Sequence, residues 1–364
     1  FPFLSQPESK KSLGIDIGTT AVKILEPEEG FHSSAYLDKY SVFDTDSYTE
    51  ALIGRTLDKA WSRLNLKKDF DRILLSLPPA FFKSRTEEFI IEREKEGKIS
   101  DKEKEEIVGR AKKMIKKRIS SELGILENDI YFKDWDLINV KIDGYSVSGL
   151  KGYNGKKIKT RFLVVFLLDK FSNLKDLIEE KLEGKVDLTH LSQGILRNKN
   201  NLKDGIYLDV GGEITQLFLI KNQNLKFAGE ARVGGRTFSR ALEDNLGLTE
   251  LRSKTLKERY SREELSEEVT KAIRRMLSEG RGRWLKEINK VLKVQESSSL
   301  PSTFYLFGGG SKLNDIQATI KQKQWKELTF LGSKQVNYLT PRTLGLNLLD
   351  LQYTPLSLIV NNHE

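Results

Sequence analysis

Two short stretches, far apart in the chain, spell the same strand, turn and strand. The first is Leu13-Gly14-Ile15-Asp16-Ile17-Gly18-Thr19-Thr20-Ala21-Val22-Lys23; the second is Ile206-Tyr207-Leu208-Asp209-Val210-Gly211-Gly212-Glu213-Ile214-Thr215. Each sets β-formers around one Asp, then glycine, then a hydroxyl residue, then β-formers again. One copy is ordinary turn chemistry, because Asp and Gly favour the dihedrals of tight turns. Two copies predict two similar half-domains, each with a hairpin whose backbone N–H groups and hydroxyls can hold phosphate between them.

A chain of 364 residues exceeds what a single hydrophobic core usually organises, so two domains, or one with insertions, are expected. With 38% hydrophobic and 9% aromatic residues it has the apolar mass for packed cores and is no disordered chain. The formal net charge is +9, but the charged residues are spread through mixtures of Lys and Glu. Solvated helix faces account for that pattern, and a basic patch interleaved with aromatics is missing, so no nucleic-acid partner is expected. The absence of Cys removes disulfides, thiolate zinc sites and Cys nucleophiles together, and fits a cytoplasmic setting. His32, His190 and His363 are too scattered for a histidine metal site. No apolar run approaches the ~20 residues of a membrane span. The longest, Phe162 to Leu168, reads as a buried strand. Phe1-Pro2-Phe3-Leu4 has neither the charged start nor the apolar core of a signal peptide.

Residues 13–25 read as a strand hairpin, Glu50 to Leu64 as a helix, and Ile73 to Leu77 as a short strand ended by Pro78-Pro79. Composition then changes abruptly, and Glu87 to Arg118 is densely charged. Ser100 ahead of Asp101 and Glu103 marks a helix start, and the helix continues to Ser121. Ile130 to Phe132, Asp134 to Val140 and Phe162 to Leu168 read as strands, with turns at Asp143-Gly144-Tyr145 and Gly152-Tyr153-Asn154-Gly155. This stretch is a small inserted domain; its charged run 92–118 reads as a solvated helix and loop, with partner docking as the alternative. Beyond it come a helix from Leu174 to Leu182, a strand at Val186-Asp187-Leu188, a helix from Leu191, and the second motif. A strand from Lys226 to Ala231 leads through Val233-Gly234-Gly235 into a helix ending at Leu246, and 249–292 is helical and charged. Phe304 to Phe307 is a buried strand ending in Gly308-Gly309-Gly310-Ser311, before a helix from Leu313.

A nucleoside triphosphate held without a Walker loop needs N–H donors from glycine turns, and a divalent cation beside carboxylates that do not cage it. Asp16 and Asp209 can supply those carboxylates to Mg²⁺ from opposite halves. Thr19, Thr20 and Thr215 can donate to phosphates beside Gly18, Gly211 and Gly212, and Lys23 can set a point charge on the β-phosphate. Gly308-Gly309-Gly310-Ser311 allows close backbone approach at a strand end, where α/β ligands sit, and offers a surface to adenine and ribose. Gly234 and Gly235 read chiefly as a helix start packed on a strand, next to the same ligand. Taken singly, Asp16 and Asp209 are turn residues and Lys23 a solvated strand end; the matched pair is what points to a ligand.

Asp16-Ile17-Gly18-Thr19-Thr20 with Lys23, Asp209-Val210-Gly211-Gly212 with Thr215, and Phe307-Gly308-Gly309-Gly310-Ser311 resemble three motifs of the actin/Hsp70/sugar-kinase superfamily. Those are its phosphate-1, phosphate-2 and adenosine motifs, in matching order across nearly the whole chain. The resemblance implies an α/β, two-domain actin-like (ribonuclease H-like) ATPase fold, with ATP and Mg²⁺ in the cleft. The inserted α+β segment resembles that of the FtsA/PilM family, through Arg93 to Lys98, the Ile99-Ser100 helix start and the two glycine turns named above. The implied layout is a first-domain core at 1–84, the insert at 85–161 and more core at 162–193. The second domain follows at 194–340, with a helical subdomain around 237–300, and 341–364 returns to the first domain. The family places a water-orienting glutamine ahead of the second phosphate motif. Gln193 stands at a similar distance before Asp209, and takes either that role, in a catalytic set with Asp16 and Asp209, or that of a surface or helix-capping residue. Glu213 and Ile214 depart from the family's glycine and hydroxyl, bringing negative charge towards the phosphates and removing a donor. Lys257 fits the family's nucleoside-side lysine, whereas Lys254 replaces its ribose-contacting acid. Nucleotide binding with slow or weak hydrolysis is the expectation.

The resemblance further implies an FtsA-like protein that assembles head to tail into filaments beside a tubulin-like division protein. It would link the cell-division machine to the cytoplasmic face of the inner membrane. The alternative within the family is a PilM-like component of type IV pilus assembly that binds the cytoplasmic tail of a membrane protein. Thr354 to Glu364 has no basic amphipathic helix of the kind that anchors FtsA, which favours an indirect route to the membrane. A sugar or acetate kinase would need a further acid near Pro78-Pro79, where none stands. A nucleotide-free interaction module on the same fold is the remaining alternative.

Overall fold

The computed structural model describes residues 11–37, 47–64, 70–94, 97–168, 173–294, 299–321 and 325–361, and in it the duplicated motif marks a duplicated sheet. In the first half, β1 (Ser12–Ile17), β2 (Ala21–Leu25) and β3 (His32–Tyr36) form an antiparallel meander. On the other side of β1, β4 (Arg72–Ser76) and then β9 (Val186–Leu188) add in parallel. In the second half, β10 (Gly205–Val210), β11 (Thr215–Lys221) and β12 (Asn224–Ala231) repeat the meander. There β13 (Thr303–Phe307) and β14 (Gln335–Tyr338) repeat the parallel pair, so the order of strands is the same in both sheets. The central strands β1 and β10 have neighbours on both edges, and Leu13, Ile15, Ile17, Ile206, Leu208 and Val210 on them are fully buried.

Helices α1 (Ser47–Trp61) and α3 (Asn173–Leu182) give Ile53, Leu57, Ile178 and Leu182 to the core of the first half. The second core takes Phe238 and Leu242 from α5 (Gly235–Leu246), and Trp284, Ile288 and Leu292 from α8 (Ser278–Lys293). Between these lie α6 (Glu250–Ser261) and α7 (Glu267–Met276), while α9 (Asn314–Lys321) adds Ile316 and Ile320. The chain returns to the first half through α10 (Thr354–Val360), buried along its whole length against β1 and α4 (Leu191–Asn198). Two glycines permit that contact: a Cβ on Gly14 would stand 2.7 Å from Val360, and one on Gly194 would stand 2.6 Å from the Leu358 carbonyl. Of the stretch from Thr354 to Glu364, the residues as far as Val360 are thus core. Among the described residues no helix is long and apolar enough to cross a membrane. Phe1-Pro2-Phe3-Leu4 and His363 lie outside the described residues.

The insert is a four-stranded sheet in the order β5 (Phe82–Glu92), β8 (Lys157–Leu168), β6 (Ile130–Ile142) and β7 (Tyr145–Val147), crossed by α2 (Asp101–Leu123). Ser100 caps α2, its Oγ accepting from the Glu103 N–H at 3.2 Å, and Gly124 in the left-handed conformation ends it. Ile107, Ala111, Ile115 and Ile119, spaced by four, form the buried face. The apolar run of β8 is buried on both sides: Phe162, Val164 and Phe166 face the α2 core, while Leu163, Val165 and Leu167 join the cores of the halves. Cuts at 84/85 and 161/162 therefore fall inside β5 and β8, which pair along their lengths, and the insert's sheet spans Phe82 to Leu168. Charge conceals β5 in the sequence, because Arg85 and Arg118 satisfy its buried Glu87. The two strands expected before Val140 are one, β6, interrupted by irregularities at Lys133 and Ile138.

Candidate functional site

The two hairpins close identically. Gly18 N–H donates to the Ala21 carbonyl at 2.9 Å, and Gly211 N–H to the Ile214 carbonyl at 3.0 Å. What stands opposite each Asp differs. Asp16 faces Lys23 across β1 and β2, with Nζ 2.5 Å from Oδ2, whereas Asp209 faces Gln216 across β10 and β11. Burial alone would lower the Lys23 ammonium, but Asp16 against it, with Asp209 beyond, raises it above its ordinary value. Asp209 has no cation in its own hairpin and accepts no hydrogen bond among the described residues. Burial pushes its carboxyl up to about 7, against the pull of Lys23 and with the help of Asp16.

The hairpin tips meet. Glu213 N–H donates to Thr19 Oγ1 at 3.0 Å, and a Cβ on Gly212 would stand 2.2 Å from the Thr20 methyl. The amides of Thr19, Thr20 and Gly212 donate to no acceptor among the described residues, and all three residues line the cleft between the halves. The Glu213 side chain does not enter that cleft. Its carboxylate turns into the second half, 3.1 Å from Arg236 and 2.8 Å from Arg240, so the negative charge expected beside a phosphate is neutralised elsewhere. Ile214 does line the cleft.

The start of α5 is fastened to the second hairpin: the Gly235 and Arg236 amides donate to the Gly211 and Gly212 carbonyls at 2.9 and 2.8 Å. Gly234 allows this, since a Cβ there would stand 2.4 Å from the Gly212 oxygen. Gly235 lines the cleft beside Lys257, whose Nζ donates to the Gly235 carbonyl at 2.7 Å and Ser239 Oγ at 2.8 Å; burial brings that ammonium down to about 8. Glu250, Lys254 and Glu258 follow along the same side of α6 at helical spacing and line the cleft as well. Lys254, expected to deprive the site of an acid, thus lies between two. Tyr36, at the end of β3, donates to Glu250 Oε1 at 2.6 Å and receives the Lys254 ammonium 4.3 Å above its ring. Arg236 takes the other Glu250 oxygen at 2.7 Å, so this carboxylate ties the two halves together.

Gly309 and Gly310 line the far side of the cleft. Gly308 and Ser311 support them: Gly308, at φ 83°, sits against Asp209, and Ser311 Oγ donates to the Gly308 carbonyl at 2.7 Å. Two expected residues are elsewhere. Thr215 is in the core, its Oγ1 donating to the Val233 carbonyl at 2.7 Å and accepting from Trp284 Nε1 at 3.3 Å. It cannot reach a phosphate, because strand alternation turns it away from Gln216. Gln193 donates to Asp136 of the insert at 2.8 Å and lies outside the cleft lining. The glutamines in the lining are Gln216 and Gln352. Tyr36, Arg236, Glu250, Glu258 and Gln216 were missed by sequence reasoning; only the period-four spacing of 250, 254 and 258 and the hairpin register could have found any of them.

The cleft has a volume of about 440 Å³, in the range of small-molecule sites. Six cationic side chains line it (Lys23, Arg236, Lys254, Lys257, Arg262, Lys312), against the carboxylates of Asp16, Asp209, Glu250 and Glu258. Among the described residues no group of three or more acids or histidines is placed to hold a metal by itself. Asp16 and Asp209 are a donor set suited only to a cation that keeps water and ligand oxygens, as Mg²⁺ does.

No family model matches the sequence, and no curated protein does. Solved structures do match. A chain of the PilM-PilN type IV pilus biogenesis complex is 15% identical, over 98% of this chain and 100% of that one, with a TM-score of 0.62. The ethanolamine utilization protein EutJ from Carboxydothermus hydrogenoformans is 12% identical, over 98% of this chain and 91% of that one, with a TM-score of 0.53. The fold is that of the actin-like ATPases. In this actin-like fold the duplicated sheets are the two domain cores, and the cleft opens between their hairpins at the ends of the central strands.

Proposed function

We propose that the protein binds a nucleoside triphosphate in this cleft and works as a PilM-like platform for the cytoplasmic segment of a membrane protein. The observation that carries the nucleotide reading is the pair of facing hairpins, with uncommitted amides at Thr19, Thr20 and Gly212 in a predominantly cationic cleft. Those amides, with Lys23, would hold the phosphates. Gly309 and Gly310 would lie against the base, and Glu250 or Glu258 would meet the ribose hydroxyls. Asp16 and Asp209 would hold the Mg²⁺ that accompanies the triphosphate, which neutralises phosphate charge when bound. Gln216, whose side-chain amide makes no hydrogen bond among the described residues and which lines the cleft, would be the glutamine that orients a water, in place of Gln193. Asp209 would hold that Mg²⁺ only as the carboxylate, so with its carboxyl raised to about 7 the metal would be held less well below neutral pH.

The likeness to PilM over the whole chain favours the platform reading over the filament-forming, FtsA-like one. The partner segment would dock in a groove of about 670 Å³ between β5 and β12, each an edge strand of its sheet, joined at one end by the Lys83–Glu230 ion pair. Titration calorimetry with ATP and Mg²⁺ tests the nucleotide reading. Saturable binding that disappears in an Asp16→Ala/Asp209→Ala variant supports it, and no saturable binding by the parent protein overturns it. Sedimentation with ATP tests the platform reading, since cooperative assembly into pelletable polymer would restore the filament reading.

A further inference from the structure

The second half of α2 carries a charge pattern that its own fold does not use. Arg110, Lys112, Lys113, Lys116, Lys117 and Arg118 follow one another with no acid between Glu106 and Glu122. Arg118 is engaged by Glu87 at 2.8 Å, but the other five make no ion pair among the described residues. Lys112 reaches only the ring of Trp135, at 5.7 Å. The buried face of the helix is Ile107, Ala111, Ile115 and Ile119, so the cations lie on the remaining surface, where Met114 is 53% exposed.

Two ordinary explanations of basic residues on a helix fail. The helix dipole favours cations in the last turn, and the last turn of α2 has none. Pairing at i and i+4 stabilises a helix when the charges are opposite, but Lys112 with Lys116 and Lys113 with Lys117 are like charges at that spacing. Local structure is thus worked against to keep these ammonium groups together. The nearby acids are Glu105 and Glu106 one turn earlier, Glu122, held by Arg85, and Glu127 and Asp129 in the turn beyond the helix.

We propose that this face of α2 is a contact surface for an anionic lipid bilayer. Its features suit that partner: a convex helix face with lysines in the majority, whose long stems can lie along a surface, and one exposed methionine among them. A single-stranded nucleic acid would call for aromatic side chains on which its bases stack, and α2 carries none; a duplex, whose groove can take a basic helix, is an arm of the test below.

Co-sedimentation with vesicles tests this, using phosphatidylglycerol mixed into phosphatidylcholine against phosphatidylcholine alone. The parent is expected to bind only the anionic vesicles, and less as salt is raised. A Lys112→Gln/Lys113→Gln/Lys116→Gln/Lys117→Gln variant should lose binding by about tenfold or more. The four corresponding Lys→Arg changes should keep it, as should Lys102→Gln/Lys104→Gln on the same helix. All these positions are outside the buried face, and an unchanged thermal melt shows that folding is intact. The proposal is overturned if the parent ignores anionic vesicles, if the Gln variant binds them like the parent, or if the parent prefers duplex DNA at the same salt.

Discussion

Replacing Asp209 by Asn should make the protein more stable at alkaline pH and slightly less stable near pH 4. Asp209 is only 9% exposed, and its carboxyl is raised from 3.8 to about 7, with burial as the largest cause. A native carboxyl that holds its proton more tightly than the unfolded one makes the native state bind more protons between those values. Stability then falls as pH rises through that window, and the loss is complete above about pH 7. The interval corresponds to about 4 kcal/mol at alkaline pH. Asn avoids burying a charge, but its unpaired amide costs about 1–2 kcal/mol of its own. The expected net gain at pH 8 is about 2–3 kcal/mol, or roughly 3 °C in melting temperature if the chain unfolds as one unit. Urea denaturation of parent and Asp209→Asn at pH 4 and pH 8 measures it. A variant no more stable than the parent at pH 8 would refute the reasoning, because it would mean that attraction to Lys23 outweighs desolvation.

Three further outcomes follow from the same geometry. Thr215→Val should cost about 2 kcal/mol, since it orphans the Val233 carbonyl and the Trp284 indole; nucleotide affinity by calorimetry should not change, as it would if Thr215 held phosphate. Tyr36→Phe removes the bond to Glu250 that crosses the cleft, worth about 1 kcal/mol, and should speed nucleotide release about fivefold in stopped-flow displacement. Gln216→Leu should abolish whatever phosphate release a steady-state assay detects, while Gln193→Leu, which loses only a contact to the insert, should leave it unchanged.

The duplicated sheets were legible because a strand that ends in Asp-Gly and returns is a local pattern, and the chain writes it twice. The cap and the run of α2 were legible for the same reason, since a helix start is written within one turn, whereas its buried stripe of Ile107, Ala111, Ile115 and Ile119 was hidden by the charged residues around it. What failed was set by partners distant in sequence. Strand β5 looked too polar until Arg118, on α2, was brought against Glu87. Glu213 looked hostile to phosphate until α5 carried Arg236 and Arg240 up to it. Thr215 differs from Gln216 by one position, and strand alternation sends one into the core and the other into the cleft. Gln193 was placed by its distance from Asp209 along the chain, a measure that does not show the Asp136 carboxylate waiting on the insert.

The register of the hairpins also locates the inequality between the halves. The sequence suggested that Glu213 and Ile214 weaken the second hairpin, but Glu213 is paired off and the decisive difference lies at the position facing each Asp. Lysine there makes the first hairpin a settled ion pair with Asp16; glutamine leaves Asp209 as a buried acid without a partner among the described residues. Such a carboxyl is costly to ionise and would be relieved by a cation brought beside it, so under the proposed reading the second hairpin would gain most from a ligand that arrives with Mg²⁺. Under the proposed reading, binding in this cleft would therefore give a buried carboxylate its counter-charge.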